Sequence, residues 1–270
     1  MRRKGFSQIL LISICVVNLF PIYYIIISAF KSLNEYYKNL FGFPSKPTLA
    51  NFIQVFNEGD FSIWFRNSVI VTILSVLVIT LISSLAAFAI SKMNFRGRNL
   101  LLRALITLMI IPPVVMIIPL FNLMVKIKLI NNFSSVIIIY SGLQAPFSVY
   151  LLQSFFGSVD NEILSAASID GCSTFQIYTK IILPLAKPAL ITQTIVNGLW
   201  VWNELMISLI FLQGNEIRTL MPGLTQFQGR FSVNQPVIMA GALMAILPIF
   251  ILYLFGQKYF IKGFTTGAIK

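Results

Sequence analysis

Apolar residues in this chain fall in long runs, without the two- or 3.6-residue spacing of a soluble amphipathic element. Segments 9–30, 68–91, 100–125, 133–155, 186–212 and 236–256 each approach or exceed the length needed to cross a bilayer. That length is about 20 helical residues for roughly 30 Å of hydrocarbon. The pattern predicts an all-α polytopic membrane protein with six transmembrane helices and both termini on one side. One gap departs from it. Residues 160–188 read DNEILSAASIDGCSTFQIYTKIILPLAKP, polar and helical in period, and too long for a turn. Ordered loops of that length are usually functional, and docking another protein is the commonest purpose.

Charge assigns the sides. With the termini and residues 92–103 and 160–187 grouped on one face, twelve basic residues stand against three acidic ones; the other face carries eight against five. The positive-inside rule therefore places the termini and the 160–188 loop in the cytoplasm, although Lys126 and Lys128 in a short outer loop dissent. The acid-free cluster of Lys92, Arg96, Arg98 and Arg103 is the strongest single indication. The net charge of +12 thus reads as membrane topology, and nucleic acid is not an expected partner. Hydrophobic residues at 57% and charged residues at 10% exclude a soluble domain of this size. The first apolar run follows Arg2, Arg3 and Lys4, but it is longer than a signal-peptide core and lacks a small-residue cleavage site, so it reads as a retained helix.

Local chemistry refines four places. Pro112, Pro113 and Pro119 predict that the third span is bent or broken. In the external segment 31–66, Leu49, Phe52, Val55 and Phe56 recur at helical spacing and predict an amphipathic helix at the outer interface. In the long loop, Asp160 is a good N-cap, Glu162 suits the first helical turn, Asp170-Gly171 signals a turn, and Ser173 with Gln176 forms a capping box. The expected product is helix, glycine turn, helix, with Ala166 and Ala167 permitting close approach by a partner and Pro184 ending the second helix. In the fifth span, Gln193, Asn197, Trp200 and Glu204 fall at i, i+4, i+7 and i+11 on one stripe. Amides, an indole and a carboxylate could bond and stack on a sugar, or bridge helices structurally. Tyr140, Gln144 and Ser148 form a weaker stripe in the fourth span, whereas Ser83 and Ser84 read as packing.

The sequence SAASIDG followed by IILP resembles the cytoplasmic signature loop of permease subunits of ATP-binding-cassette importers. NGLWVWNELMISLIFL, RTLMPGL and the terminal QKYFIKGFTTGAIK narrow the resemblance to the smaller six-span permease of maltose-type carbohydrate importers, as does Arg66-Asn67-Ser68 opening the second span. The resemblance runs from about residue 60 to the end. It implies the type I importer fold, with residues 1–67 holding the first helix and external segment. Residues 68–262 then form the transmembrane core, with its coupling loop at 156–187, and 263–270 a cytoplasmic tail. It implies that Glu162, Ser165, Ala166, Ala167, Asp170, Gly171 and Pro184 belong to a coupling helix docked on an ATPase subunit. It also implies a bacterial cytoplasmic membrane location and partners beyond the lipid bilayer: a second, homologous permease, two cytoplasmic ATPases and an external sugar-binding protein. Ser165 stands where the family has glutamate, and Glu162, on roughly the same helix face, could substitute.

Chemistry within the chain is not expected. No G-x-x-x-x-G-K-[ST] sequence is present, so ATP and magnesium belong to the partner ATPases. With no histidine and only Cys15 and Cys172, neither a metal site nor an enzymatic acid–base set is expected. An ion-coupled secondary transporter is the alternative, but only Glu204 offers a membrane-embedded acid and no internal repeat is apparent.

Overall fold

A computed structural model describes residues 2–58, 60–227 and 234–268. All regular structure among them is helical. In chain order the helices are α1 (Arg2–Ala29), α2 (Leu33–Lys38), α3 (Ala50–Glu58), α4 (Phe61–Lys92), α5 (Arg98–Leu108), α6 (Pro113–Lys126) and α7 (Phe133–Ser158). There follow α8 (Asn161–Ile169), α9 (Thr174–Ile177), α10 (Leu183–Leu185), α11 (Lys187–Asn203), α12 (Met206–Phe211), α13 (Leu220–Leu224) and α14 (Gln235–Ala268). Residues 269–270 of the tail, Gly59 of the external turn and Arg230 of the outer charge count lie outside the described residues.

The six apolar segments map onto this order with two interruptions. Parts of α1, α4 and α7 are each long and apolar enough to span a membrane. The third segment is α5 and α6, meeting at 102° across residues 109–112. Pro112 takes an extended backbone and Pro113 begins α6, where a missing N–H costs nothing. The bend read from the prolines is therefore present. The fifth segment is not one helix as the apolar run suggests, because α11 stops at Asn203 and α12 starts at Met206. Apolar composition is blind to that break; its cause is a side chain, described below.

The chain divides into two compact units. The first holds residues 1–65 and 219–248, the second 66–218 and 249–270. In the first unit, Asn51 Nδ2 donates to the carbonyls of Ala29 (2.7 Å) and Lys31 (2.8 Å), tying α3 to the end of α1. This satisfies acceptors that a helix C-terminus leaves unpaired. Lys31 is fully buried and its Nζ donates to the carbonyls of Asn39 (2.6 Å) and Leu40 (3.2 Å). Burial pushes the Lys31 amine below its usual range, opposed by the Glu35 carboxylate. The backbone N–H of Ser45 bonds Glu35 and holds that carboxyl below the usual carboxylate range. The amphipathic helix expected near residues 49–56 is α3, but its apolar face is divided. Val55 is buried and Phe52 packs on Phe30 with centroids 5.0 Å apart, while Leu49, Ile53 and Phe56 are exposed.

In the second unit, α4, α7 and α11 share two apolar cores. One surrounds Ile79, Tyr140 and Phe211. The other surrounds Phe88, Leu152 and Phe156 and takes in residues of the 160–188 loop.

Candidate functional site

The 160–188 loop folds into a knob with a buried root and an exposed tip. Asp160 Oδ1 accepts from the Glu162 N–H (3.0 Å) and caps α8. Gly171 turns the chain at φ +83°, a conformation in which a side chain is strained. Ser173 and Gln176 make the reciprocal capping box that starts α9. The second helix does not end at Pro184. The chain widens into a π-helical turn over Tyr178–Ile182, then continues through α10, which contains the proline. The proline ring would collide with the carbonyl four residues earlier in a regular α-helix, and a widened turn relieves that contact.

Burial separates the loop's residues by role. Ala167, Ile177, Tyr178 and Ile182 enter the core with Phe88 and Phe156. Ala167 is thus a seat on α4 and α7, not a surface for close approach; Ala166, one position earlier, is exposed. Glu162, Ser165, Asp170 and Pro184 are exposed too, and Ser165 Oγ donates back to the Asn161 carbonyl (3.0 Å). The tip carries two large exposed apolar side chains, Ile169 at 87% and Phe175 at 68%. Sequence reasoning missed the root's fastenings. Lys92 Nζ donates to the Val159 carbonyl (2.5 Å) and to Asn161 Oδ1 (2.9 Å), and Ser84 Oγ and Tyr178 Oη lie 2.8 Å apart. A signal did exist: Lys92 terminates an apolar helix and Tyr178 is a lone polar aromatic among isoleucines. Gly171→Ala is expected to destabilise the knob by about 1 kcal/mol, the cost of holding a left-handed backbone with a side chain. Nothing lies within 4 Å of the added Cβ, so the cost is conformational and shows as a small fall in the thermal midpoint.

The fifth-span stripe disperses into three settings. Gln193 and Asn197 are fully buried and bridge helices. Thr80 Oγ1 donates to Gln193 Oε1 (3.1 Å), while Asn197 Nδ2 (2.8 Å) and Gln193 Nε2 (3.4 Å) both donate to Ser148 Oγ. Trp200 and Gln144 instead line a cavity of about 620 Å³ under the α5–α6 bend, otherwise walled by apolar groups such as Met109, Met116, Leu120 and Phe147. Glu204 leaves the helical register because it is the residue at which α11 ends. Its Oε1 accepts from the Ile207 N–H (2.9 Å), and its Oε2 from the Ser208 N–H (3.1 Å) and the Tyr140 hydroxyl (2.7 Å). Tyr140 is fully buried, shares a 2.7 Å hydrogen bond with Ser208 Oγ, and meets Trp200 edge-on at 5.5 Å. The acid is a cap for α12, and this makes the break.

Comparison with known proteins converges on one kind of molecule. Residues 79–265 match the family described as binding-protein-dependent transport system inner membrane component. The arabinooligosaccharides transport system permease protein AraQ of Halalkalibacterium halodurans is 36% identical over 261 residues, covering 95% of this chain and 93% of the relative. The melibiose/raffinose/stachyose import permease protein MelC of Bacillus subtilis is 30% identical over 272 residues, covering 100% and 98%. Among solved structures, a chain of a bacterial ABC transporter involved in import of the acidic polysaccharide alginate superimposes with a TM-score of 0.85 at 25% identity, covering 96% of this chain and 97% of that one.

Proposed function

The chain belongs to the family of binding-protein-dependent transport system inner membrane components, and from that premise we propose that it is the smaller permease subunit of an ATP-driven carbohydrate importer. In this reading it is a six-span subunit of a bacterial cytoplasmic membrane with both termini inside. It pairs with a second permease, receives sugar from an external binding protein, and is driven by two cytoplasmic ATPase subunits. The names of these relatives, which include arabinooligosaccharides and melibiose, raffinose and stachyose, support oligosaccharide as the cargo class.

The observation that carries the mechanism is the knob. Its root is locked into the core and its tip offers the exposed Ile169 and Phe175, with the exposed acids Glu162 and Asp170 at the two ends of α8. A force applied at the tip passes to α4 and α7 through the packing of Ala167, Ile177 and Tyr178, because close-packed interiors transmit displacement. Closure of an ATPase pair against the tip would thus tilt transmembrane helices and alternate access to the pathway. The ion-coupled alternative loses its carrier, since Glu204 is engaged by three donors as a helix cap.

The test is co-expression with the cognate permease and ATPase, followed by pull-down and hydrolysis stimulated by sugar-loaded binding protein. Ile169→Asp and Phe175→Asp are each expected to weaken ATPase association about tenfold, since burying such a side chain contributes roughly 1.5 kcal/mol or more. Undiminished association and stimulated hydrolysis in the double variant would remove the knob from the coupling path.

A further inference from the structure

No part of the transport reading uses the loop at residues 39–43, whose large apolar side chains are exposed. It reads Asn-Leu-Phe-Gly-Phe and is not helical. It turns back along α1, so that Phe41 packs on Phe20 at 5.9 Å and on Tyr24 at 5.9 Å, and Phe43 meets Tyr23 edge-on at 5.7 Å. Tyr36, between Tyr24 and Tyr37, extends the same aromatic group. Leu40, Phe41 and Phe43 nevertheless remain 40%, 59% and 74% exposed.

Side chains hold four of this loop's five carbonyls and one of its N–H groups. Lys31 Nζ donates to the carbonyls of Asn39 and Leu40, Tyr23 Oη to that of Phe41 (2.8 Å), and Asn39 Nδ2 to that of Phe43 (3.3 Å). Asn39 Oδ1 accepts from the Gly42 N–H (2.8 Å). An ordinary surface loop leaves such groups to water. Irregular backbone at membrane depth cannot, because no water is there to replace a missing partner.

Depth along α1 locates the boundary. Composition alone puts the span at Leu10–Ala29, which would make Ala29 the membrane edge. Phe20 lies nine residues earlier, about 13 Å down the helix at 1.5 Å per residue, and the loop would then sit near the bilayer centre. The burial pattern argues for a different edge. Val16, Val17 and Leu19 are 62%, 71% and 59% exposed, whereas Ile27, Ser28 and Ala29 are at 4%, 0% and 0%. Residues 27–29 at the end of α1 are thus packed in protein, with Ile26 still 42% exposed, while the turns before Tyr23 face outward. Counting from the basic end, the residues from Lys4 to Tyr24 rise about 30 Å, the thickness of the hydrocarbon.

We infer that residues 20–24 and 39–43 form an aromatic collar at the membrane–water interface, on the side of α1 away from Arg2, Arg3 and Lys4, with Phe41 and Phe43 inserted among lipid glycerol and carbonyl groups. The last turn of α1, α2 and α3 then stand above the bilayer. Aromatic rings favour that layer, where an apolar body and a polar tip are both accommodated. Continuity with the lipid-facing turns of α1 commits the patch to lipid as its occupant.

The experiment is a nitroxide depth series on the full-length chain in phosphatidylcholine vesicles, in a Cys15→Ser, Cys172→Ser background. Single labels enter through Val16→Cys, Ile26→Cys, Phe43→Cys and Lys46→Cys, and collision with oxygen is compared with collision with a water-soluble nickel chelate. The expected order has Val16→Cys oxygen-dominated, Phe43→Cys intermediate, and Ile26→Cys and Lys46→Cys severalfold richer in nickel collision. An Ile26→Cys label as oxygen-dominated as Val16→Cys would return the boundary to Ala29 and overturn the collar. So would a Phe43→Cys label indistinguishable from Lys46→Cys. The α1 pair decides the boundary even where a label at position 43 disturbs the loop.

Discussion

Glu204→Ala is expected to destabilise the protein by about 3 kcal/mol, despite removing an acid from an apolar segment. Two effects oppose. Relieving an ionised carboxylate of its membrane setting returns roughly 3 kcal/mol on insertion scales. Against it stand three hydrogen bonds to a charged acceptor, from the N–H groups of Ile207 and Ser208 and the hydroxyl of Tyr140. Bonds to charged groups contribute about 1.5–3 kcal/mol each, so their sum exceeds the gain. The deficit falls where it hurts: the start of α12 loses its acceptor and the fully buried Tyr140 loses a partner. Glu204→Gln keeps one acceptor and should lose about half as much. Tyr140→Phe combined with Glu204→Ala should be clearly less than additive, because each variant removes the same contact. Thermal unfolding of the purified protein in detergent measures all four species. Additive losses, or an Ala variant as stable as the parent, would show that the carboxylate is not the cap.

This residue also shows where sequence reading reaches its limit. Its position at i+11 from Gln193 was legible, and so was the oddity of an acid in an apolar run. Its partners were not. Periodicity projects a continuous helix, and a helix that stops at Asn203 moves Glu204 off the projected face. Gln193 and Asn197 illustrate the other half of the limit. Their shared stripe is real, but a stripe does not say whether it faces a pathway or a neighbour, and here Ser148 and Thr80 take both amides inside the bundle.

The knob at residues 160–188 was legible in detail because its cues are local. A cap at Asp160, a glycine that needs positive φ at 171 and a capping box at Ser173 each specify backbone within a few residues. What escaped was the sorting of Ala166 from Ala167, and the fastening by Lys92, which is 67 residues away from the carbonyl it holds. The π-helical turn before Pro184 escaped too. A proline in sequence reads as an end, and only the geometry of the preceding turn reveals whether the helix can absorb it.

Gly223 carries the second large effect. Its segment, Arg-Thr-Leu-Met-Pro-Gly-Leu, stood out in the sequence as a resemblance without a reason. The reason is Trp64, whose indole lies against the Gly223 backbone and is only 1% exposed. A Cβ added at Gly223 would lie 2.2 Å from Trp64 Cδ2, 2.3 Å from Cε3 and 2.8 Å from Cε2. Those atoms belong to a rigid fused ring, so no rotation about a terminal bond relieves the clash; the ring or α13 must move. Overpacking a filled core costs about 1–3 kcal/mol and occasionally more, and a contact this short against a rigid partner belongs at or above the upper figure. Gly223→Ala is therefore expected to lose about 3 kcal/mol and Gly223→Val to fail to accumulate as folded protein, read by thermal midpoint and by membrane yield. Compensation separates this clash from a simple loss of glycine. Trp64→Leu alone should destabilise, since it empties a large buried volume, yet the Trp64→Leu, Gly223→Ala pair should be more stable than the sum of the two losses predicts. A Gly223→Ala protein that melts with the parent, or a pair whose losses simply add, would break the link between these two residues.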